Sequence, residues 1–389
     1  MLKYFILLCS AVNVGDVSHR DALKEGLIAE QPEAIVEYID LPSERVAIEE
    51  RIKLLQERAA EEAVVCVGVG EKTLQHLPML CVVKSKTGRL FVAASVHQYF
   101  KQLKEFADKQ CLDLVAIPAA TVKDEEKKKV IESLPHHCFA LGVPTKNPSL
   151  EELKAAYEGS LFKNNIPLNT SIIAVMLPGD APANDGTIRL FTRESAFSLL
   201  EDIRSLWLRE GKRHTLIVHN SPRTGKFGSA AGDVVCPYEV VKGGHAEGAV
   251  DQISQYFIGL LREAGIPFHF FNFVFEIEGS KRLSNSLYLP LLFATRSLST
   301  NYFILPGESV SMLSQVPLFL RPEQIIVFKP TSMNEQHLAI LEEIFTKGHY
   351  SYFENDNNIR RPSRFTPLIH DDATAVARAL LSLNTATIS

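Results

Sequence analysis

The segment TNYFILPGESVSMLSQV, residues 300–316, reads as an apolar strand, a Pro-Gly break and the first turns of a helix. The strand part shows no alternation of polar and apolar residues, which is typical of a strand buried on both faces of a parallel sheet. Similar apolar runs precede helical periods at SIIAVMLPG (171–179), HTLIVHN (214–220) and EQIIVFKP (323–330). This alternation predicts strand-helix units that build a parallel sheet with right-handed crossovers.

The first half of the chain repeats the pattern. AVVCVGVG (63–70) and LDLVAIPAA (112–120) read as buried strands, and residues 43–62 carry apolar side chains at helical spacing. The first half therefore predicts a second parallel sheet of the same type.

The length of 389 residues exceeds what one hydrophobic core usually supports. A segment rich in Pro and Asn separates the two alternating halves near residues 150–170. We predict an α/β protein with two Rossmann-like domains, at residues 1–165 and 166–365, followed by an amphipathic segment at 366–389.

The composition favours a small ligand over a polymer. The formal net charge of −5 offers no overall attraction to nucleic acid or to an anionic membrane, although it allows a local basic patch. The six cysteines show no Cys-x-x-Cys pair, and no His, Asp or Glu cluster has the spacing of metal ligands. We expect reduced thiols, no metal site and no nucleic acid polymer as partner.

The apolar start of the chain, at residues 1–9, could be taken for a signal peptide. Because it continues into a helical period and a further apolar run, we interpret it as the first strand of the sheet. No other stretch approaches the roughly 18 consecutive apolar residues of a membrane span. The sequence predicts a cytoplasmic protein without a transmembrane segment.

The first candidate site follows the first strand. Gly15 is expected to turn the chain, and Asp16 and His19 follow at the start of the first helix. They are candidates for a general base, and a turn with a helix cap is the structural alternative. Gly68 and Gly70 end the next strand as a weak dinucleotide-binding signal, which close packing of strand and helix would also explain.

The loop NSPRTGK (220–226) combines small residues with two cations. Glycine lets backbone amides approach a diphosphate, and Arg223 offers a two-pronged donor. We predict that Arg223, Thr224 and Lys226 bind a diphosphate, with an ordinary basic turn as the alternative.

The segment that opens this section supplies the remaining candidates. Ser309 and Ser311 stand at a helix N-terminus, where backbone amides and the helix dipole attract anions. We predict that Gly307 and these serines bind phosphate or sugar. Glu308 either accepts hydrogen bonds from ribose or sugar hydroxyls or caps the helix.

Five pieces of the chain resemble the family named after the plant mitochondrial-fission factor "elongated mitochondria", whose bacterial members are predicted to process nucleotide sugars. These pieces are GDVSHRDALKEGL (15–27), VGVGEKTLQHLPML (67–80), LDLVAIP (112–118), NSPRTG (220–225) and PGESVSMLSQ (306–315). The chain departs from the family pattern at Pro222, where an arginine is usual, and at Gln315, where an acidic residue is usual. Gln315 can still hydrogen-bond ribose hydroxyls, but without the help of a charge.

The resemblance implies a glycosyltransferase-B-like fold, in which two Rossmann-like domains face a cleft. It also implies that the second domain binds the donor nucleotide and that the final helix packs back toward the first domain. No metal or other cofactor is implied, since cations and a helix terminus stabilise the departing diphosphate.

These observations predict transfer of a sugar from a nucleotide-diphosphate donor to an unknown acceptor. His19 or Asp16 would deprotonate the acceptor. The alternatives are epimerisation of a nucleotide sugar and a non-catalytic adaptor that recruits a protein partner, because a fold does not fix a function.

Overall fold

The computed structural model of the chain describes residues 3–9, 14–41, 45–87, 89–182, 187–221, 223–225, 250–273, 275–278, 281–284, 286–354, 358–368 and 371–383. The chain divides into two compact units. The first contains Met1–Asn147 and Ile369–Ser389, and the second contains Pro148–Leu368.

The first unit is built on a six-stranded parallel sheet. Its strands are β1 (Lys3–Cys9), β2 (Ile35–Leu41), β3 (Val64–Val69), β4 (Leu90–Ser95), β5 (Leu114–Pro118) and β6 (His136–Ala140). They lie in the order β2-β1-β3-β4-β5-β6, and every neighbouring pair is parallel. The order changes direction between β1 and β3, which is where open α/β sheets bind ligands.

Helices cover this first sheet. They are α1 (Val14–Glu30), α2 (Arg45–Glu61), α3 (Glu71–Leu74), α4 (Leu77–Thr87), α5 (Gln102–Asp108), α6 (Glu125–Glu132) and, from the far end of the chain, α14 (Asp372–Ser382). All six residues of β3 are buried, as its continuous apolar run predicts for a central strand.

The second unit contains a seven-stranded sheet with strands β7 (Ile172–Met176), β10 (Thr215–His219), β11 (Phe268–Phe271), β14 (Tyr302–Pro306), β15 (Ile325–Phe328), β16 (Ser351–Glu354) and β17 (Asn358–Arg360). Their order is β11-β10-β7-β14-β15-β16-β17, and only the last pair is antiparallel. The chain reverses direction across the sheet between β7 and β14. The second unit also contains two short antiparallel sheets of two strands each. One pairs β8 (Ala181–Pro182) with β9 (Ile188–Arg189), and the other pairs β12 (Phe275–Glu278) with β13 (Lys281–Ser284).

The helices of the second unit are α7 (Leu150–Glu158), α8 (Leu161–Asn165), α9 (Arg193–Arg209), α10 (Gln252–Glu263), α11 (Tyr288–Ser297), α12 (Val310–Phe319) and α13 (Glu335–Thr346). The predicted fold class is therefore confirmed: the chain forms two α/β units, each built around a parallel sheet.

The division of the chain lies earlier than the predicted boundary after residue 165, because α7 packs against α11 of the second unit. The C-terminal helix α14 belongs to the first unit, where it packs against α1 and β6. Val376, Ala377 and Leu380 share a core cluster with Tyr4 and other residues of the first sheet.

Helix α14 is also fixed by polar contacts. Both carboxylate oxygens of Asp372 accept hydrogen bonds, from the amides of Leu141 and Gly142, each at 2.9 Å. Arg378 donates two hydrogen bonds to the carboxylate of Glu30 on α1. Among the described residues, no helix is long and apolar enough to cross a bilayer.

Candidate functional site

Three neighbouring strands of the second sheet end at one edge. In the sheet, Val175 of β7 pairs with Val218 of β10 on one side and with Ile304 of β14 on the other. The loops that leave these strands begin at residues 177, 220 and 307, so they start side by side. They lie where the strand order reverses, which is the usual ligand position in an open α/β sheet.

Glu308 lies at the centre of this edge and is 4% exposed. The amide of Gly179 donates a hydrogen bond to its Oε1 at 2.7 Å. Oε2 is buried and has no hydrogen-bond partner among the described residues. Since buried carboxylate oxygens are normally satisfied, this atom is suited to a ligand hydroxyl or amide.

Burial raises the pKa of Glu308 to about 7, although the Gly179 amide and the charge of Arg223 oppose the rise. Near neutral pH the carboxyl therefore exists in both protonation states. It can accept hydrogen bonds from a ligand when ionised, and it can donate one when protonated. The alternative that Glu308 caps the next helix is not observed, since its Oε1 is bonded to the loop after β7.

Gly179 and Asp180 were not singled out from the sequence. Leu177-Pro178-Gly179-Asp180 after β7 and the 305–308 stretch Leu-Pro-Gly-Glu after β14 share one pattern. The Leu-Pro-Gly-acid pattern occurs twice, each time at the end of an apolar strand. This repetition is the sequence signal that could have identified the loop after β7 as part of the site. Asp180 is fully buried, and its Oδ1 accepts from the Phe191 amide at 2.8 Å.

Thr224 joins the loop after β10 to the loop after β7. Its hydroxyl donates to the carbonyl of Pro178 and accepts from the amide of Ser221, both at 2.9 Å. The structure therefore uses this predicted ligand-binding hydroxyl to hold two loops together. Thr224 thus positions the two loops, and its contact with a diphosphate stays a prediction.

Arg223 belongs to the loop after β10 and contacts the loop after β7. Its carbonyl accepts from the Asp180 amide at 3.0 Å, and a Cβ at position 179 would lie 2.9 Å from the Arg223 Cβ. Glycine at 179 thus permits the close approach of the loops. The Arg223 charge acts on Glu308, and within the described ranges no ion pair engages its guanidinium. Lys226, the other predicted cation, lies outside the described residues.

The N-terminus of α12 follows Glu308 directly. Ser309 is the N-cap residue, but its side chain makes no capping hydrogen bond. The first hydrogen bond of the helix runs from Leu313 to Ser309, so the amides of residues 310–312 have no acceptor within the helix. Ser309 and Ser311 are both partly exposed at this terminus. The arrangement suits a phosphate group.

Two other predicted residues have different surroundings. The amide of Gly307 donates a hydrogen bond to the carbonyl of Phe328. A Cβ at position 307 would lie 2.6 Å from the sulfur of Met333. A glycine here permits close packing between the loops after β14 and β15, and its contact with a ligand stays a prediction. Gln315 is buried in the second turn of α12, beyond the open amides of the first turn.

The predicted general bases lie in the first unit, at the start of α1. His19 is 3% exposed, and its Nε2 shares a 2.7 Å hydrogen bond with the hydroxyl of Ser95 at the end of β4. Burial, with a smaller effect of His97, lowers the pKa of His19 to about 3. Such an imidazole stays neutral and accepts a proton only weakly, which favours Asp16 as the predicted base. Ser95 was missed because nothing local to the sequence RLFVAAS distinguishes it.

The glycines of the first unit act through packing. Gly15 was expected to turn the chain, but α1 already begins at Val14, so this expectation is wrong. A Cβ at Gly68 would lie 2.9 Å from the Leu77 side chain, and one at Gly70 would lie 2.8 Å from a carboxylate oxygen of Asp16. Close packing therefore accounts for the Gly-x-Gly pair. The described residues contain no group of three or more metal-binding side chains.

The chain matches no family model and no curated protein. It is similar to the solved structure of MurG from Acinetobacter baumannii, with 9% identity and a TM-score of 0.39, over 100% of this chain and 91% of that chain. It is also similar to the N-terminal domain of trehalose-6-phosphate phosphatase from Candida albicans, with 6% identity and a TM-score of 0.41, over 99% and 93%.

A third similar structure is the apo form of the lipopolysaccharide outer core galactosyltransferase WaaB. Here the identity is 9% and the TM-score 0.39, over 100% of this chain and 99% of that chain. Likenesses at this level do not establish a shared function, so the function is argued from the residues of the site. The resemblance to the "elongated mitochondria" family stays a prediction.

Proposed function

We propose that the second unit binds a nucleotide-diphosphate sugar at the edge formed by the loops after β7, β10 and β14, and that the protein is a metal-independent glycosyltransferase. The observation that carries this proposal is the buried Oε2 of Glu308, which has no hydrogen-bond partner among the described residues and lies beside the open N-terminus of α12. A nucleotide-diphosphate sugar offers hydroxyl groups that can bind the Glu308 carboxyl and phosphate oxygens that can bind the N-terminus of α12.

The diphosphate is bound by three kinds of donor. Backbone amides of the first turn of α12 and the hydroxyls of Ser309 and Ser311 donate to one phosphate group. Arg223 supplies a fixed positive charge on the same edge. The partial protonation of Glu308 near neutral pH reduces its repulsion of the phosphates.

Glu308 then binds a hydroxyl pair of ribose or sugar through Oε2, while the Gly179 amide fixes the orientation of the carboxyl group. In the transfer step, the bond between the sugar carbon and the diphosphate oxygen breaks, and an acceptor oxygen bonds to that carbon. The electron pair leaves on the diphosphate, whose charge is stabilised by Arg223 and the amides of α12. The acceptor proton passes to a base.

The donor site is tested by titration calorimetry with UDP, GDP, ADP, CMP and their common sugar conjugates, in the presence of EDTA. We expect saturable binding of one nucleotide class, at least tenfold weaker in Arg223→Ala and in Ser309→Ala combined with Ser311→Ala. Arg204→Ala is the matched control, since Arg204 is an exposed arginine of α9 that pairs with Glu201.

Absence of binding by every nucleotide up to millimolar concentrations would refute the donor site and favour an adaptor. If a nucleotide sugar binds, release of the nucleotide diphosphate on addition of candidate acceptors distinguishes transfer from epimerisation. An epimerase converts its substrate without any second substrate.

A further inference from the structure

A group of exposed cations lies at the opposite edge of the second sheet, where the parallel strands begin. Arg209, Lys212 and Arg213 belong to the end of α9 and the turn that leads into β10. Arg361 and Arg364 follow β17, which runs antiparallel to β16 and so ends at the same edge. We call these five residues the amino-edge basic surface.

Tyr302, the first residue of β14, lies beside the first of these segments and is affected by charges from both. The Tyr302 hydroxyl donates to the Glu210 carboxylate at 2.9 Å, and Arg209 lies 3.9 Å from the same carboxylate. Burial and the Glu210 contact raise the pKa of Tyr302, and the charges of Arg209 and Arg361 oppose the rise. The charges of both arginines therefore act on one tyrosine.

Arg364 is fixed near the start of β16. The amide of Thr366 donates to the carbonyl of Gly348 at 2.9 Å, and Nδ1 of His349 lies 2.7 Å from the Thr366 carbonyl. Gly348 has φ +87°, and a Cβ there would lie 2.2 Å from the carbonyl oxygen of Arg364. The segment that carries Arg361 and Arg364 is thus packed against residues 348–349.

Helix electrostatics explain only one of these cations. Arg209 lies in the last turn of α9, where the helix dipole favours a positive charge. Lys212, Arg213, Arg361 and Arg364 lie outside helices and are exposed. Residues 358–368 contain no acidic side chain, and Glu210 is the acid in the turn at 209–213. The two segments therefore hold one acid beside the five cations of the surface, in a chain whose net charge is −5.

A nonpolar side chain accompanies the cations. Leu208 immediately precedes Arg209 in α9 and is 46% exposed. Exposed arginine and lysine beside an exposed aliphatic residue match the interface of an anionic bilayer, which combines phosphate groups with the upper part of the acyl chains. Single-stranded nucleic acid, by contrast, is bound by cations with exposed aromatic platforms.

We propose that the amino-edge basic surface binds the headgroup layer of an anionic lipid membrane, and that Leu208 enters the interface. The interaction is peripheral and electrostatic, so it weakens as salt rises. It involves the edge of the sheet opposite to the proposed donor site and does not depend on that proposal.

The test is co-sedimentation of the full chain with vesicles of phosphatidylcholine, with and without a minority of phosphatidylglycerol. We expect binding only to the anionic vesicles, with release at high salt. Lys212→Glu, Arg213→Glu, Arg361→Glu and Arg364→Glu combined should reduce the affinity at least about tenfold. A matched control places the same charge change on exposed lysines of the first unit: Lys101→Glu, Lys104→Glu, Lys128→Glu and Lys129→Glu.

Equal loss of binding in both fourfold variants would overturn the proposal. The net charge of the chain, and not the amino-edge basic surface, would then control vesicle binding. Failure of the unmodified chain to bind anionic vesicles at low salt, or tighter binding to an oligonucleotide than to those vesicles, would also overturn it. Leu208→Ser provides a second variant that leaves every charge in place, and we expect it to bind several-fold more weakly. Thermal unfolding of each variant checks that it is folded.

Discussion

The amide of Gly179 donates a 2.7 Å hydrogen bond to the Oε1 of Glu308, across 129 positions of sequence. This bond joins the loops of two neighbouring strands and satisfies one carboxylate oxygen. The other oxygen is buried and has no partner in the part of the chain that the structure describes. A pairing of this kind fixes the carboxyl group before any ligand arrives, which reduces the entropy cost of binding.

Replacement of Glu308 by Gln should change how stability depends on pH. Burial raises the pKa of Glu308 from 4.5 to about 7, so above pH 4.5 the unfolded chain ionises this carboxyl more readily than the folded chain does. Glu308 therefore contributes a loss of stability between pH 4.5 and 7, by about 3 kcal/mol at most, and this contribution is absent from Glu308→Gln.

Urea unfolding followed by the fluorescence of Trp207 measures this difference. Trp207 is the one tryptophan of the sequence and lies in α9, so it reports on the second unit. Parallel stability curves for the two proteins across this pH range would contradict the assigned pKa shift.

Replacement of Thr224 by Val should loosen the junction of the loops after β7 and β10. Valine has a similar shape, but it leaves the Pro178 carbonyl and the Ser221 amide without their hydrogen bonds. We expect a loss of about 1–3 kcal/mol in the free energy of unfolding. Thr346→Val is the control. The Thr346 hydroxyl donates to the Glu342 carbonyl at an exposed position of α13, so this variant should lose less than about 0.5 kcal/mol in the free energy of unfolding.

Two glycines inside helices should respond in opposite directions to alanine. A Cβ at Gly259 in α10 would meet no described atom within 4 Å, so Gly259→Ala should stabilise the protein by up to about 1 kcal/mol. A Cβ at Gly26 in α1 would lie 3.0 Å from the Ala373 carbonyl oxygen and 3.3 Å from the Ala377 Cβ. Gly26→Ala should therefore destabilise the contact between α1 and α14. Scanning calorimetry measures both variants, and equal stabilisation by the two would argue against this contact.

Replacement of Asp372 by Asn should weaken the attachment of α14 to the loop after β6. The carboxylate accepts one amide hydrogen bond on each oxygen, whereas an asparagine offers only one acceptor oxygen. We expect a loss of about 1–3 kcal/mol in the stability of the first unit. Native-state proteolysis can measure it, with Asp108→Asn at the exposed end of α5 as the control. A similar protease resistance in both variants would show that the Asp372 contacts contribute little.

Much of the fold could be predicted because its signals are local. The apolar runs at 63–70, 112–120 and 171–179 became strands, and PGESVSMLSQ became a loop and a helix N-terminus. Continuous apolar runs of four to six residues leave few alternatives to a buried parallel strand when helical periods separate them. Gly15 illustrates the limit: a helix start is uncertain by a few residues, and the expected turn proved to be the first turn of α1.

The details of the site depend on distant partners, which local patterns do not reveal. The sequence identified Glu308 as a candidate but gave no indication that the Gly179 amide would donate a hydrogen bond to one of its oxygens. It likewise suggested Thr224 as a ligand-binding residue but gave no indication that its hydroxyl joins two loops. The same holds for Ser95, whose importance comes from His19 on a different element. In each case, the sheet order decides which side chains meet.

The placement of α14 has a consequence for the biosynthesis of the protein. A ribosome releases residues 148–368 before the helix that completes the core around Tyr4 and Val376. The first unit to be translated is therefore the last to finish folding, and its early strands must wait for most of the chain to emerge. During that interval the apolar face that α14 later covers is open to chaperones, so folding in the cell should depend on them more strongly for the first unit than for the second.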